Sequence, residues 1–195
     1  MVLPGCAHFP HGLLPLYLYE VRYRLLAQDC LAGDRLFFVA NRRDPENDEV
    51  SIDNVYPYAT AALLQSCREN EDGTFHLALH GLQRIKIVGL ETIEPYPKFQ
   101  IRAMPEEEAT SEHRAVGGEI LELADQWAQQ GIPALAALLE RLQTIDDPSI
   151  TSDVLAGYLL EEVKDQQRYL GALRLEERQR IVSTRLRELS GADRA

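Results

Sequence analysis

The residues near the start of the chain that are best suited to chemistry are Cys6, His8 and His11. A thiolate and two imidazoles are good ligands for zinc. A structural zinc site is nearly always tetrahedral and needs four ligands, and no second cysteine pair completes the set. We therefore expect these three residues to have structural roles, and we predict neither a bound metal nor another cofactor.

A second chemistry would be that of a cysteine hydrolase, in which a thiol pairs with a histidine base. The chain has Cys6, Cys30 and Cys67 at wide spacing and five histidines, but no motif joins a cysteine to a histidine. Isolated cysteines usually act as small buried hydrophobes. The sequence therefore predicts no catalytic residue and a protein that is not an enzyme.

Composition limits the partners of the protein. The 195 residues are 45% hydrophobic and 26% charged, which is typical of a globular protein, and the net charge is −11. Phosphate backbones and anionic lipids repel such a chain. Apolar runs fall short of the ~20 residues that span a membrane, and an odd number of scattered cysteines favours a reducing compartment. We expect a soluble, cytoplasmic protein that binds neither nucleic acid nor membrane.

One local exception to this charge balance is a possible basic patch. Arg42 and Arg43 lie in a polar stretch, and Arg84 and Lys86 lie on a predicted strand. Together they could form a site for RNA. A solvated loop and strand is the simpler interpretation.

The elements that must position these residues change in type near residue 105. Residues 1–105 hold 10 basic and 13 acidic residues, whereas residues 106–195 hold 10 and 18. β-Branched and aromatic segments give way at this point to Leu, Ala, Glu and Arg at helical spacing. We predict two domains with this boundary, of which the second carries most of the negative charge.

The first domain has the pattern of a small, strongly curved sheet or barrel with one helix. The helix is predicted over residues 19–31 and ends at Gly33. Asp72-Gly73 between two apolar runs predicts a hairpin, and Gly81 is a candidate for a bulge. Residues 41–49 form a polar loop, and the predicted strands cover residues 36–40, 60–67, 74–80, 83–88 and 99–104.

The second domain has the pattern of a compact helical bundle. Apolar spacing predicts a first helix over residues 112–130 that stops at Gly131. A second helix begins near Pro133, and Asp147-Pro148 begins a third because aspartate caps free amide groups and proline fits the first turn. A last helix covers residues 175–189.

Three groups of motifs occur in an order that identifies a family. The first thirty residues contain Leu3-Pro4, Phe9-Pro10, the segment LLPLYLYE at 13–20, and Arg22-Tyr23. Asp72-Gly73-Thr74 and the segment GLQRIKI at 81–87 follow, and the helical tail contributes Pro148, Leu155, Leu159, Leu173, Leu175 and Glu177-Arg178. In these features the chain resembles the N-terminal substrate-binding domain of Lon proteases over nearly its whole length.

The resemblance implies an α+β protein in which a PUA-like β-barrel is followed by a helical bundle. It also implies a region that captures unfolded or tagged protein substrates. Proteolysis is not implied, because the sequence has no G-x-x-x-x-G-K-[ST] phosphate loop. The best match is to stand-alone bacterial Lon-domain proteins, from whose pattern the chain departs at His11-Gly12 and Ala59-Thr60.

Exposed apolar surface would allow such a domain to bind polypeptides without reading their sequence. Phe9, Leu13 and Tyr17 are the best candidates to border an apolar groove, although large apolar residues more often build the core. We therefore predict a polypeptide-binding module that works with a partner protease or chaperone. The alternative is an adaptor that binds one specific protein, or a small ligand in a barrel pocket. The sequence leaves the oligomeric state open.

Overall fold

The computed structural model describes residues 1–129 and 133–192 and divides the chain into two compact units, Met1–Met104 and Pro105–Ala195. Seven strands and one helix lie in the first unit, and five helices lie in the described part of the second. The predicted α+β fold, with a β-rich N-terminal half and a helical C-terminal half, is confirmed.

The first unit is built around one long hairpin. In chain order its elements are β1 (Val2–Pro4), β2 (Leu13–Leu18), α1 (Val21–Ala32), β3 (Leu36–Phe38), β4 (Ala40–Arg42), β5 (Tyr58–Glu69), β6 (Phe75–Thr92) and β7 (Lys98–Ala103). A five-stranded sheet has the order β2-β6-β5-β3, with β7 also paired to β6, and β1 pairs with β4 in a separate parallel sheet. Strand β2 is therefore an edge strand of the larger sheet.

Two register shifts redirect side chains along the hairpin. Between Ala61 and Ala62 of β5, β6 carries one extra residue, Leu82, and between Leu64 and Ser66 the extra residue belongs to β5. Because neighbouring residues of a strand point to opposite faces, an extra residue reverses the alternation that follows it. The predicted bulge next to Gly81 is confirmed.

The reversed alternation allows the hairpin to contribute to two hydrophobic clusters. Leu64, Leu77 and Leu79 pack with α1 residues such as Leu26 in one cluster. On the other side of the first shift, Ala59, Ile85 and Ile87 pack with Val2 and Val55 in the second. The odd-numbered residues of β6 are therefore buried on both sides of the extra residue Leu82. Before it they face the first cluster, and after it they face the second cluster on the opposite face of the sheet.

Several local predictions for this unit are confirmed. The helix spans Val21–Ala32 with Gly33 at its C-cap, and the Asp-Gly hairpin joins β5 to β6. The predicted strand over 36–40 is instead two strands, because β3 pairs with β5 while β4 pairs with β1. Residues 43–49 are exposed as expected, but Asn41 is buried within β4. Strands β1 and β2 were not predicted.

The second unit contains α2 (Ser111–Ala128), α3 (Pro133–Leu142), α4 (Pro148–Leu159), α5 (Val163–Gly171) and α6 (Leu175–Ala192). The predicted start of α4 is confirmed, since the Asp147 side chain accepts a hydrogen bond from the Ser149 amide and Pro148 follows. Helix α5 was not predicted, and the predicted stop at Gly131 lies outside the described residues. The helices pack through Ile120, Leu135, Leu139, Leu155, Val182 and Leu186.

A buried ionic network also holds the second unit together. Arg178 is fully buried, and its Nη1 lies 2.9 Å from the Glu106 carboxylate and 3.3 Å from that of Asp153. Asp153 in turn accepts a hydrogen bond of 2.7 Å from the Tyr169 hydroxyl. Burial of a charge is tolerated only when it is paired and hydrogen-bonded, so this network fixes the relative position of α4 and α6.

Within residues 1–129 and 133–192, no helix combines the length and the apolar character that crossing a membrane requires.

Candidate functional site

The candidate site lies on the outer face of the five-stranded sheet. Strand β2 pairs with β6 so that Leu14, Leu16 and Leu18 face the core, whereas Leu13, Pro15 and Tyr17 face outward. The outward residues lie directly opposite His80, Ala78 and His76 of β6, respectively. Strand β2 is therefore apolar on both faces, with one buried row of side chains and one exposed row.

A shallow groove of about 490 Å3 follows this face across three strands. The rings of Tyr17 and His76 contact each other across the strands, with centroids 4.8 Å apart and planes inclined by 37°. We call this surface the Tyr17 groove; its lining residues are Pro15, Leu16, Tyr17, Ser66, Cys67, Arg68, His76, Leu77 and Ala78.

Two of the three residues predicted to border an apolar groove are strongly exposed. Leu13 is 64% exposed and Tyr17 is 49% exposed, and Tyr19 at 65% extends the same aromatic surface. Tyr17 lines the groove, and Leu13 lies two residues before Pro15 on the same face. Both side chains therefore lie on the surface of the β-rich unit and not in its core.

Phe9, the third predicted residue, lies in the interior. Its side chain is only 4% exposed, and it does not line the groove. Its segment is fixed from both sides, because the Thr60 hydroxyl donates to the His8 carbonyl at 2.6 Å and the His11 amide donates to the Gly81 carbonyl at 2.9 Å. Phe9 therefore anchors the loop before β2 and is left out of the proposed surface.

The three candidate metal ligands do not converge. In the described part of the chain, no group of three or more His, Cys, Asp or Glu side chains could hold a metal ion. His8 is buried and its Nε2 donates to the Gly12 carbonyl at 2.9 Å, while burial lowers the pKa of this imidazole. His8 therefore has the environment of a core histidine.

The cysteines lie in environments that disfavour nucleophilic chemistry. Burial raises the pKa of Cys6 and Cys67, and it raises the pKa of Cys30 to about 11. A nucleophilic cysteine needs the opposite shift, because the thiolate is the reactive form.

The residues of the possible RNA patch make separate contacts. Arg42 forms an ion pair with Asp48, and Arg43 lies over the ring of Tyr56 while donating to the Val55 carbonyl. Arg84 is fully buried, so it presents no charge to solvent.

Sequence reasoning missed Ser66, Arg68 and His76 as groove residues. Their position depends on the register of the hairpin, including the extra residue in β5, and on the pairing of β2 with β6. The Asp-Gly turn predicts which strands meet, but the spacing alone does not indicate that Tyr17 lies opposite His76.

With this geometry established, comparison with known proteins assigns the chain to a family. The family model for the ATP-dependent protease La (LON) substrate-binding domain matches residues 1–188. The chain belongs to this family. The resemblance inferred from the sequence motifs is therefore confirmed, and the chain is a substrate-recognition module of the Lon type.

Two relatives of known sequence carry the name Lon protease. The chain is 22% identical over 177 residues to a Lon protease of Desulforamulus reducens, covering 90% of this chain, and 28% identical over 177 residues to Lon protease 1 of Herpetosiphon aurantiacus, covering 87%. It spans 22% of the length of each of these relatives.

Solved structures support the same fold. The N-terminal domain of the Mycobacterium avium complex Lon protease superimposes with a TM-score of 0.71 at 17% identity, covering 95% of both chains. A Lon N-terminal domain protein from Xanthomonas campestris gives a TM-score of 0.64 at 17% identity, covering 94% of this chain and 95% of the other.

Proposed function

We propose that the Tyr17 groove binds unfolded or extended segments of protein substrates. The observation that carries the proposal is the exposure of Leu13 and Tyr17 on a grooved sheet face of a Lon-type substrate-binding domain. Burying apolar surface stabilises a complex by ~25 cal/mol per Å2 without directional demands. Such a surface suits substrates that share exposed apolar side chains rather than one sequence.

The polar members of the groove complement the apolar ones. Ser66 and Arg68 on β5 and His76 on β6 supply hydroxyl, guanidinium and imidazole groups beside Tyr17. An extended chain carries unpaired backbone carbonyls and amides, and these groups can hydrogen-bond them. The proposed complex therefore combines apolar anchoring by Tyr17 with backbone contacts that do not depend on the substrate sequence.

We propose further that the protein binds its substrate without cleaving it and that a partner protease or chaperone acts on the captured chain. The raised thiol pKa values of Cys6, Cys30 and Cys67 support the first part, since they disfavour a cysteine nucleophile. The cytoplasm is the proposed compartment, which the three free cysteines support.

The test is a fluorescence-anisotropy titration of a labelled, permanently unfolded polypeptide with the purified protein. A folded protein and a single-stranded RNA serve as control ligands. The decisive variant is Tyr17→Ala, and Tyr158→Ala is the matched control, because Tyr158 is 52% exposed on α4 and Tyr17 is 49% exposed on β2. Circular dichroism establishes that both variants are folded.

We expect saturable binding of the unfolded chain alone. A half-exposed tyrosine has roughly 100 Å2 left to bury, so its loss should weaken binding by about tenfold or more. Tyr158→Ala should bind as the wild type does. Equal effects of the two substitutions would remove Tyr17 from the site, and failure to bind any of the three ligands would favour the adaptor function, with one specific partner.

A further inference from the structure

A second concave site lies in the helical unit, between α5 and α6. This cavity of about 230 Å3 is lined by Leu160, Asp165, Arg168, Arg180, Ile181, Thr184, Arg185 and Glu188. Three arginines thus converge in the half of the chain that carries most of the negative charge. The net negative charge of this half does not by itself explain why three arginine side chains lie around one cavity.

The three guanidinium groups differ in their partners. Arg185 is held in place, because its Nε donates to the Leu159 carbonyl at 3.3 Å and its Nη1 lies 3.3 Å from the Glu188 carboxylate. Arg168 and Arg180 make no side-chain hydrogen bond or ion pair with any residue that the structure describes. Their N–H donors are therefore available to a ligand in the cavity.

We infer that this cavity binds a phosphate group. Each guanidinium offers several N–H donors in a planar fork, and arginine pairs with phosphate through two parallel hydrogen bonds. Arg168 on α5 and Arg180 on α6 approach from different helices, and the Thr184 hydroxyl adds a third donor. Three terminal phosphate oxygens match donors from several directions better than the two coplanar oxygens of a carboxylate do.

Size and lining restrict the ligand further. The cavity is smaller than the ~300–1,000 Å3 of sites that enclose drug-sized ligands, so it fits a phosphate group rather than a whole nucleotide. Leu160 and Ile181 contribute the apolar part of the lining. Asp165 and Glu188 line the same cavity and oppose an anion. Glu188 is paired with Arg185, so the Asp165 carboxylate is the one that should limit the affinity most.

This inference goes beyond the proposed function and does not depend on it. The phosphate site uses only residues of the helical unit, whereas the Tyr17 groove uses only residues of the β-rich unit. The ligand is either free phosphate or a phosphate monoester such as a phosphorylated side chain.

The test follows the arginine side-chain Nε–Hε resonances of the 15N-labelled full chain by nuclear magnetic resonance. Potassium phosphate and O-phosphoserine are titrated separately, against potassium chloride of equal ionic strength. The variants are Arg168→Gln, Arg180→Gln and Asp165→Asn. Arg187→Gln is the matched control, because Arg187 is exposed on the same helix as Arg180, outside the cavity, and its loss changes the net charge equally.

We expect saturable shifts of Arg168 and Arg180 with phosphate but not with chloride. Each of the two Arg→Gln variants should weaken phosphate binding by about tenfold, as loss of a charge-assisted hydrogen bond predicts. Asp165→Asn should strengthen binding by roughly threefold, which unfolding cannot imitate. Arg187→Gln should leave binding unchanged.

Matching shifts with O-phosphoserine would support a monoester ligand, and shifts with inorganic phosphate alone would support a free ion. Absence of saturable shifts with both ligands would overturn the inference. An equal loss of affinity in Arg187→Gln and Arg180→Gln would also overturn it, because general charge would then explain the binding.

Discussion

Gly81 gives the sharpest test of how the β-rich unit is built. A Cβ atom at this position would lie 2.2 Å from the Phe9 carbonyl oxygen and 3.0 Å from the Pro10 Cα atom. Real Cβ atoms essentially never approach other heavy atoms closer than 3.0 Å, so the loop would have to retreat by about 0.8 Å. The atoms in the way belong to the backbone and cannot rotate aside.

The same loop is hydrogen-bonded to Gly81 from both sides. The His11 amide donates to the Gly81 carbonyl, and the Gly81 amide donates to the Gly12 carbonyl, each at 2.9 Å. Loss of two hydrogen bonds at ~1 kcal/mol each, with an overpacking cost of ~1–3 kcal/mol, predicts that Gly81→Ala lowers the free energy of unfolding by about 3–5 kcal/mol.

The matched control is Gly118→Ala in the interior of α2. A Cβ atom there would meet nothing within 4 Å. Replacing glycine by alanine in an unobstructed helix stabilises a protein by ~0.4–1 kcal/mol, mainly because it restricts the unfolded chain. The same chemical change should therefore have opposite signs at the two positions.

The assay is urea unfolding at equilibrium, followed by far-ultraviolet circular dichroism. The fluorescence of Trp127, the single tryptophan, reports separately on the helical unit. A Gly81→Ala variant within ~1 kcal/mol of the wild type would refute the steric argument, since overpacking alone costs at least that much. Comparable destabilisation by Gly118→Ala would refute it as well.

Three further predictions concern single side chains. Arg178→Met strands the buried Asp153 carboxylate, so urea unfolding should show a loss of ~3–5 kcal/mol; a loss below ~1 kcal/mol contradicts the network. The hydrogen bond to Asp29, at 2.6 Å, raises the pKa of Tyr96 to about 12 from 10.0, so stability should fall as the pH rises from 10 to 12. Tyr96→Phe should reduce that fall without removing it, because the pKa of Cys30 is also raised, to about 11; an unchanged alkaline profile would disprove the assignment. Asp147→Ala removes the cap of α4 and should lower the thermal midpoint, at a cost of ~1 kcal/mol, whereas Asp147→Asn should retain most of it.

Local chemistry determined which elements could be predicted from the sequence. The Asp-Gly turn and the Asp147-Pro148 start are specified by neighbouring residues, and the structure confirms both. Strand β2 was not predicted because its buried and exposed rows are both apolar, so the period of two is not visible. Helix α5 was not predicted because five consecutive polar residues, 164–168, obscure its apolar spacing.

The candidate site could be predicted only in part, for a related reason. Tyr17 and Leu13 are apolar, and their exposure follows from the pairing of β2 with β6. Phe9 is also apolar, yet contacts with residues that are distant in sequence bury its side chain. Likewise, arginine usually lies on the protein surface, but Arg84 and Arg178 are fully buried. Burial depends on long-range packing, which a single sequence does not display.

Pro15 has a consequence for self-association. It lies in the middle of β2, an edge strand of the five-stranded sheet. An edge strand next to exposed apolar side chains is a template on which further copies could add as strands and grow into fibrils. Proline has no amide hydrogen to donate, and it interrupts such a ladder at its centre. The protein can therefore expose apolar side chains on the face of its sheet while its edge strand resists the addition of strands from further copies.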